Sequence, residues 1–225
     1  MDPFVTKDGN WLYFVSNRPL QEGQPVKEDW DIWKVEIRRG TWGKPIHLEA
    51  PINSAQDEYY PTIADNGTIY FGSAREGGRG GSDIYRSKLE LGQYRIVENL
   101  GDSVNTPGNE YESFIAPDES YLIFMATVPV GLSHADFYMC YSNRNGWTKA
   151  RKIAEPVNST ATEWSPKVTR DGKYFFFSST RNRNELKFPK QFSTQALEQM
   201  IKRPGNGLGD IYFIDFKAIK LAPME

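Results

Sequence analysis

The chain has 225 residues, with 27 Lys plus Arg against 29 Asp plus Glu and a formal net charge of −2 at pH 7. This balance excludes a dedicated nucleic-acid binder or a protein held on anionic membranes, because both carry a basic excess. One cysteine, Cys140, excludes an internal disulfide framework and a cysteine-rich zinc site, and no apolar run approaches the roughly 18 residues of a membrane-spanning helix.

Four copies of one pattern follow one another along the chain, about every 50 residues. A full copy has an Asn-x4-Glu lead-in, a strand, a tight turn, an aromatic strand and a further strand that opens with Asp. The first copy starts at Pro3 and lacks the lead-in, whereas the other three copies have it. The lead-ins are 53–58, 105–110 and 158–163, the turns are Asp8-Gly9, Asn66-Gly67, Asp118-Glu119 and Asp171-Gly172, and the Asp-led strands open at Asp31, Asp83, Asp136 and Asp210.

These copies predict repeats of about 1–56, 57–108, 109–162 and 163–225, each with four short strands. Asn-Gly and Asp-Gly tolerate the positive φ that two-residue hairpins require. A four-stranded repeat of this length is the size of a propeller blade, and blades bury their faces by packing radially. The sequence therefore predicts an all-β chain, a four-blade β-propeller or the four-blade part of a larger ring.

The elements Glu-x-x-Pro, Asp-Gly, Tyr-Phe-x-Ser and Gly-Gly-x-Asp-Ile-Tyr resemble the TolB-like (WD-like) propeller repeats of bacterial envelope and secreted proteins. They are most complete from Glu58 to Tyr85 and least complete in the third repeat, where Ser113 replaces Pro and Glu119 replaces Gly. The resemblance implies a periplasmic or secreted address and a role in binding other macromolecules. This chain shows no signal peptide. Because it begins at Pro3 without a lead-in and ends soon after the fourth Asp-led strand, we expect the natural protein to carry upstream sequence, further blades and a secretion signal.

Strand alternation places the lead-ins and the loops between the second and third strands of each blade on one face. In the fourth repeat this loop is an insertion at 181–209, in which Ser193 begins a predicted short helix with an apolar stripe. The insertion is basic on an otherwise acidic molecule, which predicts a surface for an anionic partner. The candidate partner-binding residues are Arg181, Arg183, Lys187, Phe188, Lys190, Phe192, Lys202 and Arg203.

Glu58, Glu110 and Glu163 start the innermost strands and are candidate channel-mouth residues. Two interpretations stay open for them. Each glutamate hydrogen-bonds backbone amides of a neighbouring blade, or the three hold a channel cation, because crowded carboxylates repel unless a positive charge lies between them. We expect no other cofactor and no metal site.

No residue stands out as catalytic. Ser133 and His134 are neighbours within Gly131–Ala135, but a nucleophile elbow joins a strand to a helix, and this run lies in an all-β hairpin loop. The predicted function is non-catalytic binding of a protein or glycan partner in the bacterial cell envelope. The alternative is a carbohydrate-active enzyme, a glycoside hydrolase or polysaccharide lyase with paired carboxylates on the propeller face. We expect no nucleic-acid partner, and a homo-oligomer through exposed blade edges is left open.

Overall fold

The computed structural model describes residues 1–127, 135–181, 193–202, 205 and 208–223. It confirms the all-β propeller prediction, since four antiparallel sheets, one per predicted repeat, are arranged as propeller blades. Among these residues, no helix is long and apolar enough to cross a lipid bilayer.

Blades 1 and 2 follow the predicted order of strands from the axis outward. Blade 1 contains β1 (Phe4–Val5), β2 (Trp11–Ser16), β3 (Asp31–Arg38), β4 (Thr41–Trp42) and β5 (Ile46–His47), and both β4 and β5 pair with β3. Blade 2 contains β6 (Glu58–Ile63), β7 (Ile69–Ser73), β8 (Asp83–Ser87) and the outer β11 (Glu98–Asn99), with a separate ribbon of β9 (Leu89–Glu90) and β10 (Gln93–Tyr94). Positive φ angles at Arg39-Gly40 and Leu91-Gly92 form the extra turns that lead into β4 and β10.

Blade 3 has the full strand set, whereas blade 4 differs from the prediction. Blade 3 contains β12 (Asn109–Ile115), β13 (Tyr121–Thr127), β14 (Asp136–Asn143), β15 (Gly146–Trp147) and β16 (Arg151–Lys152). The described part of blade 4 has three strands rather than four, namely β17 (Glu163–Val168), β18 (Tyr174–Ser179) and β19 (Asp210–Asp215), with the helix α1 (Thr194–Ile201) in the insertion. After β19 the chain passes through a 3₁₀ turn (Phe216–Ala218) and hydrogen-bonds to blade 3, where the Ala154 amide donates to the Lys220 carbonyl at 2.8 Å.

Three apolar clusters hold successive blades together. Between blades 1 and 2 the cluster includes Val15, Ile32 and Phe71; between blades 2 and 3 it centres on Tyr70 and Phe124; between blades 3 and 4 it includes Phe137, Phe175 and Phe177. Within the described ranges no such cluster joins blade 4 to blade 1. The far face of blade 4 accordingly exposes Ile211 and Phe213.

The lead-in asparagines attach each blade to the one before it. The Asn53 side chain accepts a hydrogen bond from the Ile32 amide at 2.8 Å and donates one to the Ile32 carbonyl at 2.9 Å. Asn105 makes the same pair of bonds to Ile84, and Asn158 makes them to Phe137. A buried side-chain amide thus satisfies both backbone groups of the residue after the strand-opening Asp, which explains why Asn recurs in the repeat.

Candidate functional site

The three predicted channel-mouth glutamates are fully buried at the starts of their strands. Each carboxylate accepts the backbone amide and the hydroxyl of the Ser or Thr four residues earlier, and the hydroxyl contact is 2.6 Å in every case, from Ser54 to Glu58, from Thr106 to Glu110 and from Ser159 to Glu163. The donors lie in the connection from the preceding blade, so the arrangement corresponds to the hydrogen-bonding interpretation. In the part of the chain that the structure describes, no group of three or more His, Cys, Asp or Glu could hold a metal ion.

Two of these glutamates have an arginine partner that the sequence analysis did not identify. Arg181 places Nη2 3.1 Å from Glu163 Oε1, donates to the Pro156 carbonyl at 2.6 Å and lies over the rings of Phe177 and Tyr212. In blade 2, Arg75 contacts Glu58 Oε1 at 3.1 Å and lies over Phe71 and Tyr85 in the same way. The sequence signal for these arginines is a Ser-x-Arg motif that recurs at 16–18, 73–75 and 179–181.

Blade 3 keeps the glutamate but not the arginine. Glu110 is opposite Ala126 in the strand register, whereas Glu58 and Glu163 are opposite serines. Val128 therefore occupies the sequence position of the arginine. No Lys or Arg of the described ranges pairs with Glu110, and burial raises its pKa to about 7.

The candidate partner-binding residues fall mostly outside the described ranges. Arg183, Lys187, Phe188, Lys190, Phe192 and Arg203 lie there, as do Ser133 and His134. Lys202 is exposed after the end of α1. The prediction that Arg181 contacts a partner is corrected. Its guanidinium is bound inside blade 4 by Glu163 and by backbone carbonyls, so it is not presented to a partner.

A cavity of about 360 Å³ opens at the end of the channel where the lead-ins emerge, and we call it the loop-face cavity. Its walls are largely aromatic, with Trp30, Tyr59, Tyr60 and Tyr111, and the rings of Tyr59 and Tyr111 are 6.4 Å apart. Three carboxylates, Asp2, Asp57 and Glu112, also line it. An aromatic cavity with a few convergent polar groups is the usual form of a small-ligand site.

Bulges in the inner strands of blades 2 and 3 bring residues into this cavity, and blade 4 has the same bulge. The strand register shifts after Tyr59, Tyr111 and Trp164, and the residues that follow, Tyr60, Glu112 and Ser165, have φ between 38° and 57°. Asp2 occupies the same place before Pro3, with φ 53°. Such bulges redirect side chains, and non-glycine residues with positive φ are uncommon. The second x of the lead-in motif therefore marks a cavity residue in blades 2 and 3, Tyr60 and Glu112, a signal that the sequence analysis did not use.

Two carboxyl groups in the loop-face cavity have raised pKa values. Burial raises the pKa of Glu112, and hydrogen bonds from the Tyr60 hydroxyl and the Ser165 amide oppose this shift. Burial also raises the pKa of Asp2, opposed by the Met1 amine, the Tyr60 amide and Lys167. In the described chain Asp2 Oδ2 is buried without a hydrogen-bond partner. The pair can accept hydrogen bonds from ligand hydroxyls, or exchange a proton with them.

The comparisons with known proteins define the fold and no more. No protein-family model and no curated protein matches the chain. Among solved structures, TolB from Acinetobacter baumannii aligns with a TM-score of 0.49 at 15% identity, over 79% of this chain but 39% of its own. The chain thus spans well under half of that protein.

Two other similar structures come from enzymes. An α-L-arabinofuranosidase from Lactobacillus brevis aligns with a TM-score of 0.50 at 12% identity, over 84% of this chain and 67% of its own. An endo-arabinase from Bacteroides thetaiotaomicron aligns with a TM-score of 0.50 at 14% identity, over 81% of this chain and 71% of its own. At such identities the likeness extends to the fold alone, so this chain is a β-propeller whose function has to be argued from its own residues.

Proposed function

We propose that this protein is a non-catalytic binding propeller that recognises a glycan at the loop-face cavity. One observation carries the proposal: the buried carboxyl group of Glu112, two partly buried carboxyl groups and tyrosine rings converge in one cavity at the loop-rich end of the channel. Sugar rings offer hydroxyls to the carboxylates and C–H faces to the aromatic rings, so both parts of the wall find partners. The resemblance of the repeats supports a periplasmic or secreted address, and the insertion residues Arg183 to Arg203 are proposed as a further contact surface for a protein partner.

Calorimetric titration with a panel of neutral and acidic oligosaccharides tests the proposal. Tyr111→Ala should weaken binding of the best oligosaccharide by tenfold or more, because it removes a wall of the cavity. Tyr141→Ala, on the exposed part of blade 3, is the matched control and should leave affinity unchanged. A panel without any binder, or equal affinity for the parent and Tyr111→Ala, would refute glycan recognition at this cavity.

A glycoside hydrolase is the second candidate, and the raised pKa values of Asp2 and Glu112 favour it. A carboxylic acid with a raised pKa can protonate a leaving group while a second carboxylate acts as base or nucleophile.

The hydrolase alternative predicts release of reducing sugar from arabinan or another polysaccharide by the parent protein. Glu112→Gln should lower that rate by about 10²–10⁴-fold, the usual contribution of a general acid. Glu76→Gln, at an exposed position, is the control. Absence of product from the parent across the panel would exclude the hydrolase and leave the binding proposal standing.

A further inference from the structure

The opposite end of the channel holds a second and larger cavity, of about 860 Å³, which we call the hairpin-face cavity. It lies among the first hairpin turns of the blades, and all four blades contribute to it. Its walls combine charged side chains with the aromatic rings of Phe4, Trp11, Tyr94 and Phe114. A cavity of this size lies in the range that encloses small organic ligands.

The acidic groups of the hairpin-face cavity already have partners. Asp65 accepts from Lys7 Nζ at 2.5 Å. Asp8 accepts from the Thr6 hydroxyl at 2.6 Å and from the Asn10 side chain at 2.7 Å. Both carboxylates therefore have hydrogen-bond partners within the protein other than Lys34 and Lys167.

Two lysines of the same cavity have no ion pair or hydrogen bond with any residue that the structure describes. Lys34 is half-buried and places Nζ 4.8 Å from the centre of the Trp11 ring. Lys167 projects from β17 into the channel, with Nζ 5.9 Å from the centre of the Phe4 ring. The protein that surrounds each amine lowers its pKa, although Glu112 and Asp2 partly offset this for Lys167. Lys34 is thus partly desolvated and has no counter-charge among the described residues, which favours the entry of an anion. The Lys167 side chain is exposed and adds a second positive charge to the same cavity.

We propose that the hairpin-face cavity binds a small carboxylate with an aromatic body, with the carboxylate between Lys34 and Lys167 and the body against Phe4, Trp11 and Phe114. The two amines attract the carboxylate of the ligand, and the aromatic walls pack against its aromatic body. The two ends of the channel differ in charge, since the loop-face cavity presents three carboxylates and this one presents the amines of Lys34 and Lys167. The proposal does not rest on the proposed glycan site, although Asp2 and Glu112 of that site attract Lys167.

Three probes separate the contribution of the carboxylate from that of the aromatic body: 3-phenylpropionate, the neutral 3-phenylpropan-1-ol and inorganic phosphate. Calorimetry on the full chain should show 3-phenylpropionate binding at least tenfold more tightly than either of the other two. Lys34→Met should weaken its binding about tenfold and leave the alcohol within threefold, whereas Lys34→Arg should restore most of the affinity. Lys149→Met, at an exposed position outside the cavity, is the control for loss of charge alone.

Lys167→Met should also weaken the binding of 3-phenylpropionate. The Lys34 variants are the decisive ones, because Lys167 also attracts Asp2 and Glu112 and its replacement would affect them. Oligosaccharide binding by Lys34→Met should equal that of the parent, so failure at one end of the channel is distinguishable from failure at the other. The proposal is overturned if 3-phenylpropionate gives no saturable binding, if the alcohol binds equally well, or if folded Lys34→Met binds the carboxylate as the parent does.

Discussion

Replacing Arg181 by Met should lower the free energy of unfolding by about 3–5 kcal/mol at pH 8, the largest single effect that we expect in the propeller. The Glu163 side chain is 0% exposed and that of Arg181 13% exposed, so the substitution leaves a carboxylate buried without its cation. The guanidinium also satisfies the Pro156 and Val157 carbonyls, which would lose their donor. Urea denaturation of the two proteins measures the difference.

A surface ion pair provides the control for this prediction. Arg38 Nε lies 2.6 Å from Glu36 Oε1, closer than the 3.1 Å between Arg181 and Glu163, but the Arg38 side chain is 79% exposed. Arg38→Met should cost less than about 1 kcal/mol, because solvent screens the pair and hydrates the glutamate that remains. Equal losses for the two variants would show that Arg181 contributes no more than a surface charge.

Replacing Glu110 by Gln should stabilise the protein at pH 8, by about 3 kcal/mol, and change little near pH 4. The carboxyl group has a pKa of about 7 in the folded protein against 4.5 as its ordinary value. Between these values the folded state binds more protons than the unfolded state, so stability falls as the pH rises from about 4.5 to 7. Gln removes the titration and still accepts a hydrogen bond from the Thr106 hydroxyl.

Glu163→Gln is the matched control and should have the opposite sign. Its carboxylate has Arg181 as a partner, so neutralising it at pH 8 leaves the buried guanidinium uncompensated and destabilises the fold. Unfolding curves of the parent and both variants between pH 4 and pH 8 provide the comparison, and differences between proteins remove the contributions of Asp2 and Glu112. A Glu110→Gln protein that is less stable than the parent at pH 8 would contradict the explanation that Glu110 is destabilising when ionised because blade 3 lacks the arginine of blades 2 and 4.

The sequence by itself determined the four blades, because their signals are local. The turn residues, the aromatic strands and the Asn-x4-Glu lead-ins each act within a few positions, and four repeats report the same pattern. The hydrogen bonds of Asn105 to Ile84 show why the lead-in recurs: one side chain satisfies a strand of the blade before it. The same local signals predicted a helix after Ser193, where α1 begins at Thr194.

Only the tertiary structure decided which carboxyl groups face a cavity. Glu58 and Glu163 looked like channel residues in the sequence, but arginines two residues beyond the facing strand bind them inside their blades. The motif position of Glu112 did not by itself show that the side chain faces a cavity; a bulge with positive φ brings Glu112 there, and Asp2 reaches the same cavity with a positive φ. Blade packing fixes the bulge direction and the burial that shifts each pKa, and both depend on residues distant in the chain. Lys34 and Lys167 likewise share a cavity only because separate blades meet at the channel.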